Sequence, residues 1–415
     1  MTSSFDPPPG TGRPRGGPPL FRSFFQAGFE CSAHRRHDGR RLDLVAATAH
    51  DAFAAADYRH CAALGLRTVR DGVRWHRAER GGGRAGGRLD LSADLPRVRA
   101  ARDAGVQVIW DLCHYGWPDD LDVFAPAFVD RFARFARAFA DVVAGETDEV
   151  PWYSPVNEIS FLAWAAGDAA YLNPFCRGRG AALKRQLVRA AVAAAHAVRD
   201  VDPRARVVHT DPVFWVVPHP DRPADAAAAR AYNEAQFEAW DMLAGRLAPE
   251  LGGSPLVLDV VGVNYYSNNQ WVWAGPLAFR NEVLGADDPG YRPFRALLAE
   301  VHARYGRPLF VAETGIEGDA RPAWLRYVGA EVRAARRRGV PVEGICLYPV
   351  VDHPGWDDDR HCPNGLWGYA DAAGERPVDG PLLAELRRQQ RAARPREQRP
   401  ERAPRGSPAA AGFPE

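Results

Sequence analysis

The sequence predicts an α/β fold, a single (β/α)8 TIM barrel between two disordered tails. Three observations carry that expectation. Strand-like and helix-like segments alternate along most of the 415 residues, the pattern of a parallel sheet with crossover helices. The strand-like runs read apolar throughout, so both faces of the sheet should be covered. Eight such runs occur, and no Gly-rich phosphate loop follows the first of them. A closed barrel therefore fits better than an open dinucleotide-binding sheet.

Taken in order, strand 24–31 precedes a helix over 51–64 that stops at Gly65, a suitable C-terminal cap. Strand 66–75 leads through a flexible loop, Gly81–Gly87, to a helix over 92–104 ending before Gly105. Strand 106–113 is followed by Phe128, Phe132, Phe135 and Phe139, spaced by three and four on one apolar helix face. Strands 151–157, 205–210, 257–265, 308–313 and 342–349 then alternate with helices over 181–200, 225–248, 291–305, 321–338 and 379–391. The barrel is expected over 21–391. Residues 1–20 and 392–415 hold too few large apolar groups to offset the entropy of ordering, and are expected to be disordered.

Composition narrows the partners. A hydrophobic fraction of 46% is ample for a core, and a net charge of +1 points to neither nucleic acid nor an anionic membrane. No signal peptide and no apolar run of bilayer length are visible. The six cysteines (Cys31, Cys61, Cys113, Cys176, Cys346, Cys362) lie far apart without zinc-ligand spacing. Reduced thiols in a cytoplasmic protein are expected. No cofactor is implied, and no sequence feature specifies an oligomeric state.

The candidate chemistry rests on two glutamates. Pro151-Trp-Tyr-Ser-Pro-Val-Asn-Glu158 and Pro308-Leu-Phe-Val-Ala-Glu313 each end a buried-looking strand on a carboxylate. Barrels of this class place their chemistry at the C-terminal ends of the strands. A pair of such carboxylates suggests the acid/base and nucleophile of a glycosidase. Asn157, beside Glu158, adds a neutral donor suited to a sugar hydroxyl.

A series of motifs in matching order then resembles the family 1 glycoside hydrolases, retaining (β/α)8 glycosidases of the β-glucosidase type. Arg70-Asp-Gly-Val-Arg-Trp75-His-Arg77 resembles the family's R-F-S-I-S-W-S-R strand, and His114-Tyr115-Gly-Trp117-Pro118 its H-W-D-L-P. Pro155-Val-Asn157-Glu158-Ile is similar to T-x-N-E-P, Gly262-Val-Asn264-Tyr265-Tyr266 to G-x-N-Y-Y, and Ala312-Glu313-Thr314-Gly315 to T-E-N-G. Tyr348-Pro-Val-Val-Asp352-His353-Pro-Gly355-Trp356 resembles the eighth-strand W-S-L-x-D-N-F-E-W. The resemblance runs from about Phe24 to Tyr369.

The resemblance implies a metal-independent retaining β-glycosidase acting on a small glycoside or glycoconjugate. Glu313 would be the nucleophile and Glu158 the acid/base, with Arg70 and Tyr266 supporting Glu313 and Asn157 binding the 2-hydroxyl. His114, Asn264, Trp356, Tyr348, Glu30 and Trp117 would surround the carbohydrate. Transglycosylation, another glycosidase of the same clan, and a catalytically idle carbohydrate-binding barrel are the alternatives. Two positions depart from the family pattern. The eighth-strand glutamate that grips the sugar's outer hydroxyls is replaced by Gly355, and the first-strand glutamine has Glu30 or His34 as its nearest substitute. The bond-breaking residues are thus expected to be kept and the sugar-reading residues rebuilt. The acidic stretch Asp352–His361 clusters metal-type donors but lacks a ligand spacing, so solvated loop acids are expected there rather than a metal.

Overall fold

The computed structural model describes residues 19–79, 89–278 and 281–393. Apart from their inner edges, the tails expected at 1–20 and 392–415 lie outside these residues, as does the loop Gly81–Gly87. The barrel strands are β1 Phe25–Gly28, β2 Thr68–Gly72, β3 Gln107–Asp111, β4 Trp152–Ser154, β5 Arg206–Pro212, β6 Val260–Asn264, β7 Leu309–Thr314 and β8 Val342–Leu347. Each pairs in parallel with the next in sequence, and the sheet closes where Phe25 of β1 lies opposite Ile345 of β8. The expected (β/α)8 barrel is the observed one.

Successive residues of a strand point to opposite faces, and β2 shows what that does to charge. Arg70 turns inward to meet Glu313, Asp111 and Asn157. Asp71 turns outward and anchors two helices, α1 (His50–Ala63) through His50 and Tyr58 and α2 (Leu95–Ala104) through Arg97. Both side chains are fully buried, so each needs the partner that the closed barrel supplies.

Helix α3, Pro126–Glu146, carries the predicted aromatic face. Phe128, Phe132 and Phe135 pack around Trp75, and Phe139 meets Trp110 edge-on at 5.3 Å. Each of these four rings is wholly buried, worth roughly 1.5–3 kcal/mol apiece. Helix α4, Gly180–Val201, packs on α3.

One expected helix is broken. The segment 225–248 forms α5, Ala226–Ala235, and α6, Glu238–Leu243. Between them Gln236 turns its side chain to the N–H of Phe214 and the carbonyl of Asn233, and Phe237 bonds to Glu234 in a tighter turn. A glutamine reads as helix-forming in sequence, and only the loop after β5 recruits it elsewhere. The other expected helices, α7 Phe294–Tyr305, α8 Arg321–Arg337 and α9 Gly380–Ala393, lie within a few residues of their expected positions. Among the described residues no helix is long and apolar enough to cross a membrane.

Candidate active site

A cavity of about 1050 Å³ opens at the C-terminal ends of the strands. Glu158 and Glu313 both line it, as do Glu30, His114, Tyr266 and Tyr348.

Glu313 belongs to β7 and is 4% exposed. Arg70 Nη1 donates to its Oε1 at 3.0 Å, and the Tyr266 hydroxyl donates to its Oε2 at 2.8 Å. Arg70 is itself held by Asp111 at 2.7 Å and by the Asn157 carbonyl oxygen at 3.1 Å. Burial works against the charge on Arg70, but Asp111 and Glu313 outweigh it and keep the guanidinium cationic.

Glu158 follows β4 and meets only neutral donors. The Tyr115 hydroxyl donates to its Oε2, and Asn264 Nδ2 donates to its Oε1 at 2.8 Å. Glu158 and Tyr115 both adopt left-handed backbone, at φ +48° and +63°, a region that non-glycine residues enter infrequently. The helix after Glu158 begins at Ile159 and passes into a π-helical stretch over Ala163–Asp168, a distortion common at functional sites.

The two carboxyls thus share a cavity in unlike surroundings. Burial raises both, Glu313 to about 7, and the charge of Glu158 adds to the rise at Glu313. Arg70 opposes the shift at Glu313. The contact with Arg70 favours the ionised form of Glu313, and no such cation bonds to Glu158.

The structure places the remaining expected residues unevenly. Asn157 is fully buried. Its Oδ1 accepts from Arg70 and from the Thr210 hydroxyl, and its Nδ2 lies 3.0 Å from His114 Nε2 and 3.2 Å from the Tyr115 oxygen. Its amide is therefore already engaged by protein groups. Asn264 is likewise buried and reaches the cavity through Glu158. His114 lies 3.2 Å from Cys31 Sγ and 3.3 Å from the Tyr348 hydroxyl. Trp356 lines the cavity, its ring set edge-on to Tyr115 at 5.6 Å.

Trp117 is not brought to the cavity. It is buried and packs edge-on against Phe128 at 5.9 Å. The aromatic that does reach the site from this motif is Tyr115, which sequence reading passed over because its orientation depends on a left-handed backbone no spacing announces.

Of the two substitutes at the first strand, Glu30 lines the cavity, whereas His34 lies behind Trp356 at a ring distance of 5.3 Å. Burial alone would raise Glu30, but His114, His353 and the Ser32 N–H bring it below its usual range. Gly355 also lines the cavity, and a Cβ there would fall 2.2 Å from the Asp358 carboxylate. The loop is built around that glycine, and Arg360 in the same loop pairs in a fork with Glu317 at 2.8 Å.

Metal-type donors converge in one place among the described residues, where Cys31, Asp111 and His114 offer atoms within 4.8 Å of one another. Arg70 already occupies Asp111 Oδ2, and burial pushes the Cys31 thiol up to about 11, leaving it protonated at neutral pH. In the acidic loop, Asp352 pairs with His361 at 2.8 Å and accepts the Gly365 N–H at 2.7 Å, an internal brace.

No family sequence model matches the chain, and no curated protein matches it in sequence. Solved structures do match. A β-glucosidase from Thermotoga maritima in complex with glucoimidazole is similar at a TM-score of 0.72 and 16% identity, over 89% of this chain and 98% of that one. The family 1 β-glucosidase of Thermotoga maritima gives 0.70 at 16% identity over 89% and 98% of the two chains. Its complex with deoxynojirimycin gives 0.71, with the same identity and coverage. The structural neighbours of this chain are thus family 1 β-glucosidases, at an identity that carries the likeness of fold.

Proposed function

We propose that this chain is a retaining β-glycosidase acting on a small glycoside or glycoconjugate. One observation carries the reading: two buried carboxyls face one cavity, one against an arginine and the other against neutral donors only. That asymmetry divides the roles of a double displacement between them.

In the first step a Glu313 oxygen attacks the anomeric carbon as the bond to the leaving oxygen breaks. The proton of Glu158 passes to that oxygen, so the aglycone departs neutral. In the second step the Glu158 carboxylate takes a proton from water, whose oxygen displaces Glu313 from the anomeric carbon. Arg70 and Tyr266 hold the Glu313 carboxylate in place between attack and release. Carbohydrate binding falls to the cavity wall, where Glu30, His114, Trp356 and Tyr348 present polar atoms and one indole face. The likeness to β-glucosidases of solved structure supports glycoside hydrolysis on this fold.

The test is Glu313→Ala with an activated aryl β-glycoside. Turnover should fall to background, and added azide should restore it, yielding a glycosyl azide of inverted configuration. A folded variant that azide does not rescue would remove Glu313 from the nucleophile role.

A further inference from the structure

Glu158 occupies a turn that is held from outside. Its N–H donates to the Thr210 carbonyl on β5 at 3.0 Å, and its own carbonyl accepts from Leu162 at 2.8 Å. The next residue of β5, Asp211, reaches across to the same turn. Its carboxylate accepts the Ser160 N–H at 3.1 and 3.2 Å and the Ser160 hydroxyl at 2.7 Å, with the Phe161 N–H also directed at it. These are first-turn N–H groups, which have no partner within their own helix.

Asp211 is 1% exposed and does not line the cavity, whereas Ser160 does. Among the described residues it forms no ion pair. Lys184 acts on it only at longer range and is itself bound to Glu238 at 2.7 Å. A buried carboxylate without a cation is costly, and burial raises Asp211 to about 7 against the Ser160 and Phe161 donors, so its charge is fully in place only above that pH. Here it is spent on the two residues that follow the proposed acid.

We propose that Asp211 is a positioning residue for Glu158, clamping from β5 the left-handed turn that aims the Glu158 carboxyl into the cavity. The inference rests on the acid/base reading of Glu158.

The charge of Asp211 acts in the same sense as its geometry. Glu158 is faced by Tyr115 and His114 from the loop after β3, by Asn264 and Tyr266 from β6 and its end, by Glu313 from β7, and by Asp211 from β5. Burial is the largest influence holding the proton on Glu158. Tyr115, Asn264 and His114 favour the carboxylate, and Asp211 opposes them. Asp211 transfers no proton in either step, and its effect is exerted through the turn and through its field.

The test follows the Glu158 carboxyl directly, by ¹³C NMR titration of the full chain labelled at the glutamate side-chain carboxyl, with Glu158→Gln assigning the resonance. Asp211→Asn keeps the shape and one acceptor but removes the charge. In that variant Glu158 should titrate about one pH unit lower. Its kcat/KM should fall up to about a hundredfold more for a poor leaving group than for a good one. An unmoved resonance, or equal losses on the two substrates, overturns the proposal. If Asp211→Asn does not fold, Ser160→Ala removes one donor that keeps Asp211 ionised. It should move the resonance in the same direction by less, and no movement there overturns the proposal equally. The titration needs no turnover, so it stands apart from the acid/base reading itself. That reading fails separately if Glu158→Ala loses equally on both leaving groups.

Discussion

The guanidinium of Arg70 donates to the Glu313 carboxylate at 3.0 Å, and the two residues are 0% and 4% exposed. A charge pair at that depth is bound by its neighbours as much as by itself, because Asp111 holds the other arm of the arginine at 2.7 Å.

Arg70→Met should therefore do more than weaken one contact. It leaves Asp111 and Glu313 buried without their arginine, a change that costs about 3–5 kcal/mol when one partner of such a pair is removed. Urea unfolding would measure the loss, and kcat/KM should fall with it. Arg70→Lys keeps the charge but cannot span both acids and Asn157, so it should lie between the wild type and Arg70→Met in both readouts.

Tyr266→Phe removes one donor from Glu313 while leaving the ring. A hydrogen bond to a charged acceptor contributes about 1.5–3 kcal/mol, so kcat/KM should drop roughly ten- to a hundredfold. Losing a donor also disfavours the ionised form, and the acidic limb of the pH profile should move to higher pH. A slower variant with an unmoved acidic limb would separate Tyr266 from the charge on Glu313.

On the proposed mechanism the carboxyl pair should give a bell-shaped dependence of kcat/KM on pH. Activity should fall in acid as Glu313 gains a proton, and in base as Glu158 loses its own. Glu158→Gln should abolish the basic limb on a substrate with a good leaving group. A basic limb that survives in this variant would assign the proton elsewhere.

A second pH effect lies outside the barrel wall. His50 bonds to Asp57 at 2.7 Å and to Asp71 at 3.1 Å, all three buried. Burial opposes the charge on His50, but the two aspartates raise it above 6.5, and both aspartates are lowered below 3.8. The histidine contributes stability below pH 6.5 that is lost as pH rises through its raised folded value. The aspartates contribute stability above pH 3.8 that is lost as pH falls through their depressed folded values. Tm should therefore be highest between these limits, and His50→Gln should flatten the alkaline decline while lowering Tm overall. An alkaline decline unchanged in that variant would exclude His50 as its source.

Legibility in the sequence followed the physics of each signal. The strands and the Phe128–Phe139 face were readable because burial imposes an apolar pattern on adjacent residues. The helix break at Gln236 was not, since the group that recruits it, the Phe214 N–H, is distant in sequence. The motif His114-Tyr115-Gly-Trp117 shows the same limit at the site. Both aromatics read alike, and the backbone at Tyr115 decides which one meets Glu158. The pairing of Asp111 with Arg70, and of Asp211 with Ser160, joins residues 41 and 51 positions apart, and no local spacing records either.

By itself, the sequence determined the barrel and the two strand-end carboxylates, because apolar runs and their polar ends are properties of contiguous residues. The tertiary structure decided which atoms face Glu158, a tyrosine and an asparagine, whereas the arginine and tyrosine at Glu313 were already expected from the resemblance. It also decided that Glu30 reaches the cavity while His34 does not, and that Asn157 spends its amide inside the protein. Those outcomes depend on the closure of the sheet, which brings β2, β5, β6 and β7 around one space. The surroundings of a buried charge are assembled from distant segments.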